Sequence, residues 1–157
     1  MGTEIERKFL VDTAAWMPVD GGMHFKQGYL NSQNERVVRV RIEGDRGKLT
    51  IKGASLGITR AEFEYDIPLE DASLLLGNLC EQPLIEKHRH KETHGGKTWE
   101  IDVFHGENEG LIVAEIELTS EDETFERPSW AVKEVSSDPR YFNSNLQKNP
   151  YCNWSKN

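Results

Sequence analysis

The feature that most constrains the fold is a series of short segments in which apolar and polar residues alternate. Alternation with a period of two is typical of β-strands, because successive side chains of a strand point to opposite faces. The segments that show it are residues 4–11, 26–31, 36–43, 48–52, 60–67, 85–93, 98–104 and 111–119. Glycine-containing turns at residues 44–47 and 95–96 join neighbouring segments as hairpin turns do. The chain is therefore predicted to be mainly β, with eight strands.

Few helices are predicted. Residues 70–80 have acidic residues in the first turn and leucines at helical spacing, and residues 120–126 could form a short helix. Asp138 followed by Pro139 predicts a helix start, and that helix would end before Pro150. Eight strands with mostly short connections favour a closed barrel over a sandwich. The 157 residues contain no evident repeat or linker, so we expect one domain over residues 1–157.

The polar faces of the predicted strands are mostly charged, and the sign differs from strand to strand. In strand order the charged residues are Glu4, Glu6 and Lys8; Arg39 and Arg41; Lys52; Glu62, Glu64 and Asp66; Lys87 and Arg89; Glu100 and Asp102; and Glu115 and Glu117. Any one such pair is usually a solvated sheet face. Like charges two residues apart repel mildly, however, and a surface has no need to sort them by strand.

A ligand with several negative charges, bound together with divalent cations, accounts for both signs. Arginine and lysine pair with phosphate oxygens, and arginine often does so bidentately. Glutamate and aspartate supply the hard oxygen ligands that Mg²⁺ or Mn²⁺ prefers. Such residues would line a polar or water-filled barrel lumen, since isolated buried charges are costly. The apolar faces would then point outward under helices and loops, which fits the modest hydrophobic content of 36%.

Composition excludes several classes of protein. A net charge of −8 argues against a nonspecific nucleic-acid binder. No apolar run approaches the roughly 18 residues of a membrane span, and the N-terminus lacks the features of a signal peptide. Cys80 and Cys152 fit no metal spacing, so we expect reduced thiols and a cytoplasmic location. His88 and His90 alternate with Lys87 and Arg89, and are expected to be surface imidazoles facing away from the lumen.

The ordered set of charged motifs resembles the CYTH family, or triphosphate tunnel metalloenzymes. Glu4-x-Glu6-x-Lys8 is similar to the ExExK signature that opens those proteins. The similarity continues at residues 27–30, 39–41, 50–52, 62–64, 87–89, 102–104 and 115–117, and in the closing stretches 130–135 and 138–146. It spans residues 3–147. One departure is Val132, where the family usually has glycine, which puts a local turn in doubt more than the chemistry.

The resemblance implies an eight-stranded antiparallel β-barrel tunnel, with a few flanking helices, that takes a triphosphate lengthwise. The implied phosphate-binding residues are Lys8, Arg39, Arg41, Lys52, Lys87 and Arg89. The implied metal-binding residues are Glu4, Glu6, Asp102, Glu115 and Glu117, and the metal would be Mg²⁺ or Mn²⁺. Glu62 and Glu64 would bind metal directly or through water, or would balance neighbouring cations.

Two residues are candidates for handling the attacking water. Tyr29 lies two residues from Gln27, so both can face the lumen, and Tyr29 matches a tyrosine of the short bacterial members. A tyrosine hydroxyl is a poor base at neutral pH, so Tyr29 would need help from nearby cations or would only orient the water. Lys87 could polarise the same water.

The first functional hypothesis is a divalent-metal-dependent hydrolase of inorganic triphosphate. A class IV adenylate cyclase, which makes cyclic AMP from ATP, would use the same site, and so would a thiamine triphosphatase. A noncatalytic polyphosphate-binding module is an alternative of another class. We expect a triphosphate compound as the partner, neither nucleic acid nor membrane, and a monomer or homodimer.

Overall fold

A computed structural model describes residues 2–154; residue 1 and residues 155–157 of the predicted domain lie outside the described residues. The strands are β1 (Gly2–Val11), β2 (Met23–Asn31), β3 (Arg36–Glu43), β4 (Arg46–Gly53), β5 (Thr59–Ile67), β6 (Ile85–His94), β7 (Lys97–Phe104), β8 (Ile112–Glu117) and β9 (Ala131–Glu134). The helices are α1 (Leu69–Asn78) and α2 (Asn143–Lys148). Short 3₁₀ turns occupy Gly106–Asn108, Pro139–Tyr141 and Tyr151–Asn153.

Strands β1 to β8 form a closed antiparallel barrel. The strand order is β5-β4-β3-β2-β6-β7-β8-β1, and the ring closes because β5 also pairs with β1. Residues 2–5 of β1 pair with β5, whereas residues 9–11 pair with β9. Phe9 and Leu10 also pair with β8, so β9 must lie on the opposite edge of β1. The predicted eight-stranded barrel is confirmed, and β9 covers the part of that edge which β5 does not reach.

Two predicted helices differ from the structure. Residues 120–126 are not helical: Glu123 Oε1 accepts hydrogen bonds from the backbone N and the hydroxyl of Thr119, and Ser120 donates to Asp122. Such local side-chain bonds compete with a helix. The C-terminal helix is divided, because Phe142 adopts an extended backbone between the 3₁₀ turn and α2. Asp138 does cap the turn, accepting from the backbone N of Arg140.

The apolar faces of the strands point outward, as predicted. Phe9, Trp99, Ile101 and Ile116 belong to a buried cluster that Trp130 and neighbouring loop residues cover. A second cluster lies under α1, where Ala72 and Leu76 pack near Val40. Because inward and outward positions alternate, these clusters leave the charged residues of the same strands facing the lumen.

One end of the lumen is closed by residues 135–154, which we call the C-terminal segment. Inward positions at this end are apolar: Tyr29, Val37, Ile85, Phe104 and Val113 form a buried cluster with Val135, Tyr141 and Leu146. The lumen is therefore polar in the middle and apolar at this end.

Three smaller expectations also have outcomes. His88 is partly exposed and contacts His105, with Nδ1 and Nε2 2.7 Å apart. His90, in contrast, is not a surface imidazole: it is buried against Trp16, because the loop before β2 covers it. Val132 lies in strand β9. No non-glycine residue among the described ones has a positive φ, so a valine at this position causes no backbone strain. Within residues 2–154 no helix is long and apolar enough to cross a membrane.

Candidate active site in the barrel lumen

The barrel encloses a cavity with about 760 Å³ of empty space, part of it open to solvent. All the predicted phosphate-binding residues line it, and so do Tyr29, Glu4, Glu6 and Glu115. The predicted residues that do not line it are Asp102, Glu117, Glu62 and Glu64. The fold thus brings most of the predicted set together, while the individual roles stay predictions.

Strand register places the charged residues beside one another. Lys8 lies opposite Glu115 in the β1–β8 pair, and Arg89 lies opposite Asp102 in the β6–β7 pair. Cross-strand neighbours have Cβ atoms about 4.5–5.5 Å apart. Lys8 Nζ is accordingly 3.9 Å from Glu115 Oε1. A slip of one residue would turn these side chains to the outer face, so the site depends on the register between paired strands.

Asp102 is a buried counter-ion for two cations. Its Oδ2 accepts from Lys87 Nζ at 2.7 Å and from Arg89 Nη2 at 2.9 Å, and its Oδ1 accepts from Arg89 Nε at 2.7 Å. Burial opposes its ionisation, but Arg89 and Lys87 outweigh burial and lower the pKa of Asp102 to about 2. Both carboxylate oxygens are engaged by cations, an arrangement that favours pairing over metal binding.

The remaining positive charge is crowded. Burial lowers the pKa of Lys87 to about 7, with Arg89 and Arg41 adding to the effect and Asp102 opposing it. Burial, Arg39 and Arg89 lower the pKa of Arg41 to about 9. The guanidinium carbons of Arg41 and Arg89 each lie 4.8 Å from the ring centre of Phe25, a cation–π geometry that partly compensates. A bound polyanion would relieve this crowding.

Carboxylates gather on the β1–β8 side of the cavity. Lys52 Nζ donates to Glu4 Oε1 at 2.8 Å, and this partner outweighs burial and lowers the pKa of Glu4. Lys8 and Arg89 likewise outweigh burial at Glu115, whose pKa is well below its usual range. Burial and the neighbouring Glu115 and Glu4 instead raise the pKa of Glu6 well above its usual range. Glu6 is therefore the carboxyl group with the least compensated negative charge.

These carboxylates fit a divalent cation by their chemistry. They are hard oxygen donors, and a cation beside Glu6 would relieve its repulsion with Glu4 and Glu115. In the part of the chain that the structure describes, no three Asp, Glu, His or Cys side chains already converge on one point as metal ligands. Mg²⁺ is usually held by one or two carboxylates together with waters and substrate phosphates. The donor set therefore fits a metal that binds with a phosphate ligand better than a metal caged by protein alone.

The other predicted acids lie beside the cavity. Glu62 Oε2 is 3.4 Å from Lys52 Nζ, and Glu64 Oε2 is 3.8 Å from Arg39 Nη2. Both acids therefore lie near lumen cations, and whether they also bind metal stays a prediction. Glu117 is exposed and pairs across β1–β8 with Glu6, and burial together with Glu4 and Glu100 raises its pKa. It therefore extends the acidic side of the cavity outward.

Tyr29 is almost fully buried at the apolar end of the cavity, which it lines. Its hydroxyl accepts a long hydrogen bond of 3.3 Å from Gln27 Nε2. Gln27 Oε1 in turn accepts from Arg41 Nε at 2.8 Å. Gln27 thus links the hydroxyl to Arg41. In this position the hydroxyl can contact a water molecule or a phosphate oxygen.

Sequence reasoning missed several lining residues. Arg60 lines the cavity and shares the alternation of Glu62 and Glu64, so the signal for it was present. Its guanidinium donates to the carbonyl oxygen of Gly53 at 2.7 and 3.0 Å. Asn143 and Ser144 reach the cavity from the C-terminal segment, where no alternation pointed to them.

Known proteins match this chain over nearly its whole length. The family model described as the CYTH domain matches residues 2–148. An inorganic triphosphatase of Acetivibrio thermocellus is 51% identical over 156 residues, covering 99% of this chain and 100% of the relative. An inorganic triphosphatase of Nitrosomonas europaea is 36% identical over 151 residues, covering 92% and 96%.

A solved structure gives the same result for the fold. The crystal structure of the inorganic triphosphatase NE1496 superposes with a TM-score of 0.64 at 34% identity. The match covers 94% of this chain and 95% of that one. Sequence and fold are therefore similar to these proteins from end to end.

Proposed function

The chain belongs to the CYTH family, and from that premise we propose that it hydrolyses inorganic triphosphate in the barrel lumen with the help of a divalent metal ion. The observation that carries the proposal is the convergence of seven lysine and arginine side chains on one cavity beside a group of buried glutamates. A linear triphosphate has the charge and the oxygen atoms to engage both. Two inorganic triphosphatases, 51% and 36% identical to this chain, match it over nearly their full length. This similarity supports hydrolysis over the cyclase alternative.

The cations of the cavity would bind and orient the phosphate chain. Arg39 and Arg41 offer planar sets of N–H donors, which match the oxygens of a phosphoryl group. Arg89 holds Asp102 with its Nε and Nη2, so it would meet the phosphate chain with the rest of its guanidinium group. Lys8 and Lys52, which contact Glu115 and Glu4, connect these donors to the acidic side. Placing donors before the substrate arrives lowers the barrier, because no reorganisation is then needed during the reaction.

Glu4, Glu6 and Glu115 would hold Mg²⁺ or Mn²⁺ together with the substrate. When bound, the metal supplies a Lewis acid that neutralises phosphate charge. Glu117 would add a ligand from the rim, while Asp102 would stay with Lys87 and Arg89. A cytoplasmic location and a monomeric or homodimeric state remain predictions.

Two side chains would handle the attacking water. Tyr29 faces the cavity and can accept from or donate to a water molecule there. A pKa of about 7 lets Lys87 hold or release a proton near neutral pH, as a general acid–base group requires. The carboxylate of Asp102 fixes the position of the Lys87 ammonium group.

A panel of substrates tests the proposal. Triphosphate, ATP, thiamine triphosphate and pyrophosphate are each incubated with Mg²⁺ or Mn²⁺, and phosphate and cyclic AMP are measured. We expect the highest kcat/KM for inorganic triphosphate and no cyclic AMP. Arg41→Met should lower this activity, whereas Arg46→Met, which removes the same charge from the exposed start of β4, should not. Faster release of cyclic AMP from ATP, or no turnover of any compound, would contradict the proposal.

A further inference from the structure

Asn143, the first residue of α2, reaches into the lumen from the segment that closes it. Apolar side chains of the segment anchor it to the barrel. Leu146 is fully buried and Tyr141 nearly so, both in the apolar cluster at this end of the barrel. A change at Asn143 therefore leaves the packing of the segment in place.

The carboxamide oxygen of Asn143 accepts two hydrogen bonds from lumen residues. Lys87 Nζ and Gln27 Nε2 each donate to Asn143 Oδ1 at 3.0 Å. The two bonds fill the two lone pairs of that oxygen. Asn143 thus links two lumen side chains on neighbouring strands, β2 and β6.

The charge of Arg41 fixes the direction of this chain of bonds. A lysine ammonium group and an arginine Nε–H can only donate. Arg41 Nε therefore requires the oxygen of Gln27, which it contacts at 2.8 Å, and the ammonium form of Lys87 donates to the oxygen of Asn143. The nitrogen of Gln27 must then face Asn143. The orientation of the Gln27 amide follows from Arg41, which can only donate, and that of the Asn143 amide follows from the nitrogen of Gln27.

The side-chain nitrogen of Asn143, Nδ2, is consequently available to a ligand in the cavity. Nδ2 has no hydrogen-bond partner within residues 2–154, and the residue lines the lumen. It offers two N–H donors that carry no charge. In a cavity already crowded with cations, a neutral donor adds a contact for phosphate oxygen without adding repulsion.

We propose that Asn143 contacts the substrate and positions its neighbours: Oδ1 holds Lys87 and Gln27, and Nδ2 donates to a phosphoryl oxygen of the ligand. This inference rests on the proposed function, because it takes the ligand to be a linear triphosphate. It adds to the site a residue from the C-terminal segment that no strand pattern indicates.

Two substitutions separate the two roles. Asn143→Asp keeps an oxygen for Lys87 and Gln27 but replaces the donor with a negative oxygen, whereas Asn143→Ala removes both. Asn145→Asp and Asn145→Ala are matched controls in the same helix, since Asn145 bonds to Pro139 and does not line the cavity. Triphosphate affinity is measured by calorimetry with divalent cations chelated, and kcat and KM are measured with Mg²⁺.

Asn143→Asp should weaken triphosphate binding by about tenfold or more, the effect of losing a hydrogen bond to a charged group. Asn143→Ala should weaken binding and also lower kcat, and neither control should do so. Melting temperatures of all four variants should stay close to that of the wild type. This last readout separates a role in the site from a role in folding.

Other outcomes overturn the inference in distinct ways. Affinity unchanged in Asn143→Asp rejects the contact from Nδ2, and kcat unchanged in Asn143→Ala rejects the positioning role. If the wild type binds triphosphate but does not hydrolyse it, the proposed function is rejected. Comparing the triphosphate affinities of the wild type and Asn143→Asp then still tests whether Asn143 contacts the ligand. A wild type that neither binds nor hydrolyses triphosphate rejects both.

Discussion

Tyr29 is the residue at which a hydrolase and a binding protein differ most. If its hydroxyl acts on the attacking water, Tyr29→Phe should lower kcat by about 10²- to 10⁴-fold, the usual effect of a proton-transfer group. Triphosphate affinity should change little, because the hydroxyl meets water and not phosphate. Steady-state kinetics and calorimetry measure the two quantities. Tyr65→Phe removes the same hydroxyl from the exposed face of β5 and is the control.

The alternatives for Tyr29 have distinct signatures. A weaker affinity with little change in kcat would make the hydroxyl a ligand contact. No change in either quantity would make Tyr29 part of the wall, and Lys87 and the metal would then remain to activate the water.

Glu6 gives a prediction about pH. Its folded-state pKa is raised from 4.5 by burial, Glu115 and Glu4, so above the unfolded value the folded protein binds more protons than the unfolded protein. This carboxyl group therefore contributes a loss of stability that is absent at low pH and grows as pH rises through the folded-state pKa. Glutamine does not titrate. In the absence of divalent metal, Glu6→Gln should raise the melting temperature, and by more at about pH 8 than at about pH 5.

Glu35→Gln is the control for this change, because Glu35 is exposed in the turn before β3. If Glu6→Gln raises the melting temperature equally at both pH values, or more at the lower one, carboxylate repulsion is not the cause of the increase.

Single residues also show what alternation can and cannot predict. Lys8, Arg39 and Glu115 were predicted to face the lumen because each lies on the charged face of its strand. Arg60 obeys the same rule, because it alternates in step with Glu62 and Glu64 along β5 and lines the cavity. Asn143 has no such signal, since contacts between distant parts of the chain bring it to the cavity.

Among the elements, the C-terminal segment links stability to the site. Leu146 is fully buried among the apolar residues that close the lumen. Leu146→Ala should lower the free energy of unfolding by about 2–5 kcal/mol, the cost of lost burial plus a cavity. It should also raise KM at temperatures where the protein is folded, because Asn143 lies on the same helix.

Urea unfolding and steady-state kinetics check this prediction. Leu74→Ala, on the exposed side of α1, should change neither quantity. If Leu146→Ala lowers the free energy of unfolding by the expected amount and leaves KM unchanged, the segment supports the barrel but does not shape the site.

The elements that sequence reasoning missed are those defined by distant contacts. Strands β1 to β8 have hydrophobic alternation and turn glycines, which are local signals. Strand β9 has only the residues Ala131–Glu134 and pairs with the distant β1, so no local pattern marks it. Residues 120–126 have helix-compatible composition, but Thr119 and Ser120 bond to nearby acidic side chains instead.

At the scale of the whole molecule, the lumen places like charges close together in the absence of ligand. Triphosphate should raise the melting temperature of the wild type, because a ligand that binds only the folded state stabilises it by mass action. Arg41→Met should melt at or above the temperature of the wild type without ligand, since it removes a buried, crowded cation. It should also show a smaller shift with triphosphate.

Thermal unfolding with and without triphosphate measures both effects, and Arg46→Met, at the exposed start of β4, is the control. A wild type that melts identically with and without saturating triphosphate would argue against a lumen site.

The barrel and its charged interior could be predicted from one property of the sequence, the sorting of charges by strand. Closure of the ring was predicted from the number of strands and the short connections, and the β5–β1 pairing confirms it. Which carboxylates are free for metal could not be predicted. That depends on side-chain pairing within the lumen, where Asp102 is occupied by two cations and Glu6 by none among the described contacts.

The most direct measurement is ³¹P NMR of inorganic triphosphate incubated with the wild-type protein, first with a chelator and then with Mg²⁺ in excess. The predicted result is no change under chelation, followed by conversion of triphosphate to one phosphate and one pyrophosphate per molecule when Mg²⁺ is added. Arg41→Met should slow this conversion, and Arg46→Met should not. Triphosphate that stays intact with Mg²⁺, or that is cleaved equally fast under chelation, would contradict metal-assisted hydrolysis in the lumen.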